Sequence, residues 1–345
     1  MTYIPSPNIN QLSAEIGIPV SKIIKLDAGE NPVVESLQNK QLFTKINLSL
    51  YPDPLCSDLR NKLSEYTQFP KESIACGNGS DELIDLLVRI LVPPGNEIIV
   101  CPPTFPMYEV FARLSRVKVK YVNRTADLKM HYPNIIKDLS SKTRLIFIDS
   151  PGNPSGTVIS IPGLKMLLQT RVLVVVDEAY FEYCNQTVLP LVNDYPNLIV
   201  LRTFSKWAGL AGLRLGYMVA NPTITQKVLE LKPPYSVNSF AQVAGCWALD
   251  NRQKLIRKII ELIKSRNKII FQLKKLNMQV YPTQSAYIVF RAIRPLELQE
   301  FLRSNGVIVK LINQPLLTNC LRTNLGTTRQ MARLIILIEK FYEKN

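Results

Sequence analysis

Three short apolar runs, each followed directly by polar residues, constrain the fold of this 345-residue chain more than any other feature. They are RLIFIDS (144–150), RVLVVVD (171–177) and LIVLRTFS (198–205). The central residues of each run are all apolar and do not alternate with polar residues. Such runs are typical of parallel strands buried on both faces. Amphipathic stretches such as 80–91, which we expect to be a helix capped by Ser80, alternate with runs of this kind. We therefore predict an α/β fold with a mostly parallel sheet, sandwiched by helices, over about residues 70–220.

A second lobe is expected because 345 residues exceed what one hydrophobic core usually supports. From about residue 238 the pattern changes to helical segments followed by shorter runs, among them VIVKLI (307–312), which we expect to be one strand. A closing helix places Met331, Leu334, Ile335 and Ile338 on one face. We predict a large domain at 45–238 and a smaller α+β domain formed by 239–345 together with an N-terminal arm, 1–44.

Composition excludes several classes of function. The chain carries one histidine, His131, so histidine-based triads and most histidine–metal sites are excluded, and no metal site is expected. Six cysteines without paired spacing and no signal pattern indicate a reducing compartment, the cytoplasm or an organelle such as a plastid. No apolar run could span a membrane. The net charge of +15 fits a solvated surface or attraction of anionic ligands, and no nucleic-acid recognition motif accompanies it.

Polar side chains follow the predicted strands in succession, at the edge where open α/β sheets bind ligands. Asn153, Asp177 and Lys206 each come just after one of the three apolar runs. A lysine held out of full hydration near a second cation, here Arg214, favours the neutral amine, which can attack a carbonyl. Asp177 could keep a pyridinium nitrogen protonated, and the glycine turn before residues 80–91 could receive a phosphate at a helix start. These are the groups that a protein supplies to pyridoxal 5′-phosphate.

Several longer motifs make the chain resemble a known family. SPGNPSG (150–156), DEAYFEY (177–183), TFSKWAGLAGLRLGY (203–217) and CLRTNLGT (320–327) resemble the fold-type-I pyridoxal-phosphate-dependent aminotransferases. IIKLDAGENP (23–32), YPDP (51–54), GNGSDELIDLL (77–87), CPPTFPMY (101–108) and PPYSVNSFAQ (233–242) are similar to the histidinol-phosphate aminotransferases among them. The resemblance runs over nearly the whole chain, with the motifs in the same order.

The resemblance implies a homodimeric enzyme that transfers the amino group of L-histidinol phosphate to 2-oxoglutarate in histidine biosynthesis. It implies that Lys206 bonds to the cofactor and moves the substrate proton, and that Asp177 and Tyr180 assist in catalysis. Arg322 would grip the anionic group of either substrate, with Asn31 and Tyr51 also assigned to the substrate. The implied cofactor contacts are Lys206, Asp177, Asn153, Tyr180, Ser80, Asp81, Phe105, Thr203, Ser205, Arg214 and, from the second subunit, Tyr51.

The chain departs from the family pattern at three positions in these motifs. Gly152 replaces the first of two asparagines, Phe105 replaces a tyrosine that stacks on the cofactor ring, and Gly29 replaces an asparagine, which we expect to add flexibility. These departures leave the substrate open. A threonine-phosphate decarboxylase or an aromatic amino-acid aminotransferase would keep the same lysine, aspartate and arginine. A non-catalytic basic binding protein on the same fold is a third alternative, although it has no need for Lys206.

Overall fold

The computed structural model describes residues 6–32, 42–44 and 46–343, and it has the predicted α/β architecture. The strands are β1 (Ile24–Lys25), β2 (Ile74–Asn78), β3 (Glu97–Val100), β4 (Lys118–Tyr121), β5 (Thr143–Asp149), β6 (Leu173–Asp177), β7 (Leu198–Thr203), β8 (Leu215–Ala220), β9 (Gln279–Val280), β10 (Tyr287–Arg291), β11 (Val307–Ile308), β12 (Lys310–Ile312) and β13 (Cys320–Asn324). The helices are α1 (Ile9–Ile16), α2 (Ser57–Thr67), α3 (Gly79–Leu91), α4 (Met107–Leu114), α5 (Tyr132–Lys137), α6 (Ile161–Leu168), α7 (Phe181–Cys184), α8 (Pro222–Leu231), α9 (Ser239–Asp250), α10 (Arg252–Lys275), α11 (Pro295–Ser304) and α12 (Thr328–Glu343).

Within the described residues, the large sheet has seven strands in the order β2-β8-β7-β6-β5-β3-β4. Strands β7, β6, β5, β3 and β4 run parallel, whereas β8 is antiparallel to both of its neighbours. The mostly parallel sheet predicted from the apolar runs is therefore confirmed. Because the parallel strands share one direction, their carboxyl ends lie together at one edge.

The large sheet is buried on both faces, as its apolar runs require. Along β5, Ile146 and Ile148 belong to one hydrophobic core, and Leu145 and Phe147 belong to the other. Successive strand residues point to opposite faces, so each apolar run contributes to two cores at once. Helices α3, α4 and α8 cover one face, and α2, α6 and α9 contribute to the core on the other.

The second lobe contains the antiparallel sheet β12-β13-β10-β9 and helices α10, α11 and α12. The four α12 residues expected to share a face, Met331, Leu334, Ile335 and Ile338, are all buried. The N-terminal segment joins this lobe because β1 pairs in parallel with β11. This pairing leads residues 26–32 towards the carboxyl edge of the large sheet.

Two local predictions were wrong. The run 307–312 forms two strands, β11 and β12, because each half pairs with a different partner, β1 or β13. Ser80 does not cap α3, which begins at Gly79 without a side-chain cap. Instead the Glu82 carboxylate accepts the Asn78 N–H at 2.6 Å, so the donor at the start of the helix is satisfied from within its first turn.

Candidate active site

A cleft of about 1170 Å³ opens at the carboxyl edge of the large sheet, between the two lobes. Asp149, Asp177 and Thr203 reach it from the ends of β5, β6 and β7, and Arg322 reaches it from β13. The cleft is lined by most of the residues that the sequence assigned to a cofactor or substrate: Ser80, Asp81, Phe105, Asn153, Asp177, Tyr180, Thr203, Ser205, Lys206, Arg214 and Arg322.

Lys206 follows β7 and is held through its backbone. Its carbonyl oxygen accepts a hydrogen bond from Asn31 Nδ2 at 2.9 Å, and the Tyr183 hydroxyl donates to the same oxygen at 3.4 Å. The Lys206 amine lies 5.8 Å from the centre of the Tyr180 ring. The backbone of Lys206 is thus fixed by two other segments, while its amine faces the cleft.

Gly29 lies against this amine, in a left-handed backbone conformation. It has a φ of +74°, and a Cβ built on it would lie 2.9 Å from Lys206 Nζ and 3.3 Å from the Tyr180 hydroxyl. A side chain there would therefore be strained and would crowd the lysine. The structure adds this close approach to the departure at Gly29, and the expected flexibility of the segment stays a prediction.

Asp177 is a buried carboxylate whose hydrogen-bond donors, among the described residues, are neutral. Its Oδ2 accepts from the Tyr108 hydroxyl at 2.8 Å, and its Oδ1 accepts from the Ala179 N–H at 3.0 Å. Burial raises the pKa of Asp177 to about 7, the Tyr108 hydrogen bond lowers it, and the charge of Asp149 raises it. A cation against this carboxylate would offset its desolvation, so the site fits the protonated ring nitrogen of pyridoxal phosphate.

The phosphate-binding candidates surround the start of α3. Arg214 Nη2 and Asp81 Oδ2 are 2.7 Å apart, and the Thr203 hydroxyl donates to the Ser205 hydroxyl at 3.0 Å. The N–H groups at the start of an α-helix favour a bound phosphate, which hydroxyl and guanidinium donors would hold further. The structure therefore brings Ser80, Thr203, Ser205 and Arg214 together in a group suited to a phosphate, with the Asp81 carboxylate paired to Arg214.

Arg322 lies at the side of the cleft formed by the second lobe. It donates to Asn153 Oδ1 at 2.8 Å and to the Asp27 carbonyl at 2.7 Å. Since Asn153 Oδ1 already accepts from Arg322, the amide NH₂ of Asn153 is the group that can donate to the ring oxygen of pyridoxal phosphate. Phe105 lines the cleft with its ring edge-on to Tyr108, at 5.6 Å between centroids.

Two cations that sequence reasoning missed, Lys310 and Lys25, also line the cleft. Lys310 stands directly opposite Arg322 in the β12–β13 register, and the Lys25 amine lies 3.0 Å from Asp27 Oδ1. Burial, followed by the charge of Arg322, lowers the pKa of Lys310. The sequence interpretation had placed Lys310 on a strand, but the partner of that strand could not be read from the segment.

Two assigned residues do not line the cleft. Tyr51 is 79% exposed and stacks on Tyr235, with ring centroids 4.4 Å apart. Asn31 contacts the Lys206 and Trp207 carbonyls. The assignment of either residue to the substrate stays a prediction, and so does the contact of Tyr51 with the cofactor, which the resemblance assigns to a second subunit.

Among the described residues, no cluster of His, Cys, Asp and Glu side chains could hold a metal ion. None of the described helices combines the length and the apolar character that crossing a bilayer requires.

Comparison with known proteins agrees with this geometry. The model of the family "Aminotransferase class I and II" matches residues 21–338. A histidinol-phosphate aminotransferase from Dehalococcoides mccartyi is 40% identical over 309 residues, covering 88% of this chain and 86% of that protein.

Two solved structures share the fold. The histidinol-phosphate aminotransferase of Sinorhizobium meliloti, in complex with pyridoxal 5′-phosphate, superposes with a TM-score of 0.89 at 21% identity, covering 98% of this chain and 96% of that one. An L-threonine-O-3-phosphate decarboxylase from Porphyromonas gingivalis superposes with a TM-score of 0.81 at 21% identity, covering 93% of this chain and 100% of that one. The fold alone therefore does not separate these two reactions. Because the family model spans nearly the whole chain and the Dehalococcoides relative aligns over most of it, the chain belongs to the class I and II aminotransferases, and it is a pyridoxal 5′-phosphate-dependent enzyme of that family.

Proposed function

We propose that the enzyme transfers the amino group of L-histidinol phosphate to 2-oxoglutarate, giving imidazole-acetol phosphate and glutamate, a step of histidine biosynthesis. The observation that carries this proposal is the cationic side of the cleft, where Lys310 and Arg322 lie side by side on the paired strands β12 and β13. A phosphate dianion accommodates two cations, whereas the carboxylate of an oxo acid suits one bidentate guanidinium. The identity to the Dehalococcoides enzyme supports the same substrate.

The chain's own residues supply binding and proton transfer. Bound pyridoxal phosphate acts as the electron sink that makes the substrate Cα–H acidic. Lys206 would hold the cofactor through its amine in the resting enzyme, and once the substrate amino group has displaced it, the free amine would move the proton to and from the substrate Cα. Asp177 would keep the ring nitrogen protonated, and Tyr180 and Asn153 would donate to the ring oxygen. Ser80, Thr203, Ser205 and Arg214 would hold the phosphate, with the Asp81 carboxylate paired to Arg214 at the same helix start, and Phe105 would stack on the ring.

We also propose a homodimer, in which Tyr51 reaches the phosphate pocket of the partner subunit. The support is an exposed apolar surface around Tyr51 in the single chain. Exposed apolar patches of this kind mark protein–protein contacts. Its members are Leu48, Leu50, Tyr51, Leu55 and Tyr235.

Two further assignments stay proposals. The division into a large domain at 45–238 and a small domain built from 1–44 and 239–345 is supported by the separate sheets on either side of residue 238. The location in the cytoplasm or an organelle is supported by the free state of all six cysteines.

The proposed donor can be tested by adding L-histidinol phosphate, without an oxo acid, to the yellow cofactor-loaded enzyme. We expect the absorbance of the bound cofactor to bleach within one turnover and to return on addition of 2-oxoglutarate. In Lys206→Ala the rate of bleaching should fall by at least about 10²-fold, because the base that moves the proton is lost. Lys227→Ala, an exposed lysine on α8, serves as the control.

The same experiment separates the alternatives. Threonine phosphate that releases CO₂ without any oxo acid would identify a decarboxylase, and bleaching by tyrosine or phenylalanine alone would identify an aromatic aminotransferase. Near-normal bleaching in Lys206→Ala would contradict the assignment of this lysine.

Lys310→Met should raise the KM for L-histidinol phosphate about tenfold and change the KM for 2-oxoglutarate much less. The reason is that a hydrogen bond to a charged group contributes about 1.5–3 kcal/mol, and Arg322 can hold a carboxylate alone. Lys310→Arg, which keeps the charge, is the matched control for steady-state kinetics. Equal increases in both KM values would show that Lys310 does not distinguish phosphate from carboxylate.

Asp177 should make the cofactor-free protein less stable as pH rises. The ordinary pKa of an aspartate side chain is 3.8 and that of Asp177 in the fold is about 7, so the native state keeps a proton that the unfolded state has lost. The contribution of this retained proton to the free energy of unfolding is fully present below pH 3.8 and is lost as pH rises through about 7. The stability of Asp177→Asn relative to the parent should therefore grow across this window and level off above it, as measured by urea unfolding at a series of pH values. A difference that does not vary with pH would contradict the raised pKa.

A further inference from the structure

Asp149 is a buried acid in the cleft that none of the roles above uses. It ends β5 directly beside Asp177 at the end of β6, since the two residues are paired in the parallel register. Two carboxylates at neighbouring strand ends repel each other when both are ionised, and that repulsion costs more in a buried site. The charge of a second buried acid beside Asp177 must therefore be balanced by a nearby cation.

Arg124 supplies that balance. Its guanidinium forms an ion pair with Asp149 Oδ1, and the two side chains are 1% and 4% exposed. Its other N–H groups donate to the carbonyls of Cys101, Pro103 and Leu128 at 3.1–3.2 Å. Arg124 thereby connects two segments. One is the segment before Phe105, and the other is the turn that follows β5.

The second oxygen of Asp149 acts on that turn. Asp149 Oδ2 accepts the Asn153 N–H at 2.7 Å, while Arg322 donates to the Asn153 side-chain oxygen at 2.8 Å. Asn153 is consequently held from both sides, by an acid at its backbone and by a cation at its side chain. The direction of its remaining amide NH₂ depends on both contacts.

Gly152 is explained by the same arrangement. A Cβ built on it would overlap Ser155 Oγ and would lie 2.9 Å from Arg124 Nη2 and 3.2 Å from Asp149 Oδ1. A side chain at 152 would displace the ion pair or Ser155. Glycine in place of the first asparagine of the family pattern therefore leaves room for the buried Arg124–Asp149 pair.

We propose that Asp149, held by Arg124, is a positioning residue of the cofactor site, which sets the Asn153 amide against the ring oxygen of pyridoxal phosphate and requires glycine at 152. The proposal rests on the assignment of Asn153 and Asp177 to the cofactor made above. Asp149 acts through the Asn153 backbone and does not touch the reacting atoms.

Two double variants that differ only at position 149 test the proposal. Arg124→Met with Asp149→Asn removes the ion pair but keeps an oxygen to accept the Asn153 N–H. Arg124→Met with Asp149→Leu removes the pair and the acceptor. Replacing a buried ion pair by neutral side chains of similar size is often tolerated in folding, so both proteins can be compared in the folded state. The readouts are the dissociation constant of pyridoxal phosphate, from titration of the cofactor-free protein, and thermal unfolding of that same form.

We expect the leucine variant to bind the cofactor about tenfold or more weakly than the asparagine variant, because the Asn153 amide is no longer held in place, and to unfold at a moderately lower temperature, because one buried N–H has lost its acceptor. Equal affinities would overturn the proposal. Gly152→Ala provides a second route if either double variant does not fold, and unchanged cofactor affinity in that variant would equally overturn it. Arg60→Met, which removes a buried arginine that donates to the Lys71 carbonyl, controls for loss of stability alone.

Asp177→Asn separates failure of this inference from failure of the site. If that variant binds the cofactor as the parent does, the cofactor assignment itself is wrong. If it binds weakly while the two double variants bind equally, only the role of Asp149 is wrong.

Discussion

The parallel register of β5, β6 and β7 is the constraint on which the rest of the site depends. It sets Asp149 level with Asp177 and brings the end of β7, from which Lys206 follows, to the same edge. Three apolar runs thus do two things at once: their side chains fill the cores on both faces of the sheet, and their ends deliver polar groups to one cleft. Everything else in the site, including the second lobe, is arranged around that edge.

Buried charge is the second theme of the structure, because two buried acids near this edge are paired with arginines whereas Asp177 is not. Asp149 is paired with Arg124, and Glu178, the residue after Asp177, is paired with Arg202 on β7 through hydrogen bonds of 2.8 and 2.9 Å. The donors that the described residues give Asp177 are neutral, Tyr108 and the Ala179 backbone. The paired acids hold the strand ends together, and the acid held by neutral donors is the one suited to a charged ligand.

The sequence predicted the parts of the site that follow directly from a strand. Asp177 and Lys206 could be placed at the edge that lines the cleft because an apolar run marks each strand end, and the sheet type follows from the same runs. Arg124, Lys310 and the approach of Gly29 to Lys206 could not, because each depends on segments distant in the chain meeting in space. The antiparallel direction of β8 and the division of 307–312 between two partners depend on pairing, which an apolar run does not encode. Tyr51 is different again, since its proposed role requires a second chain.

The most direct test of the account is to find which amine bonds to the cofactor. Reduction of the cofactor-loaded enzyme with borohydride makes that bond permanent, and mass spectrometry of the digested protein then locates it. The account predicts a pyridoxyl phosphate label on Lys206 and on no other lysine. A label on Lys25 or Lys310, which line the same cleft, or no label on any lysine, would contradict the claim that the cofactor is held at the edge formed by β5, β6 and β7.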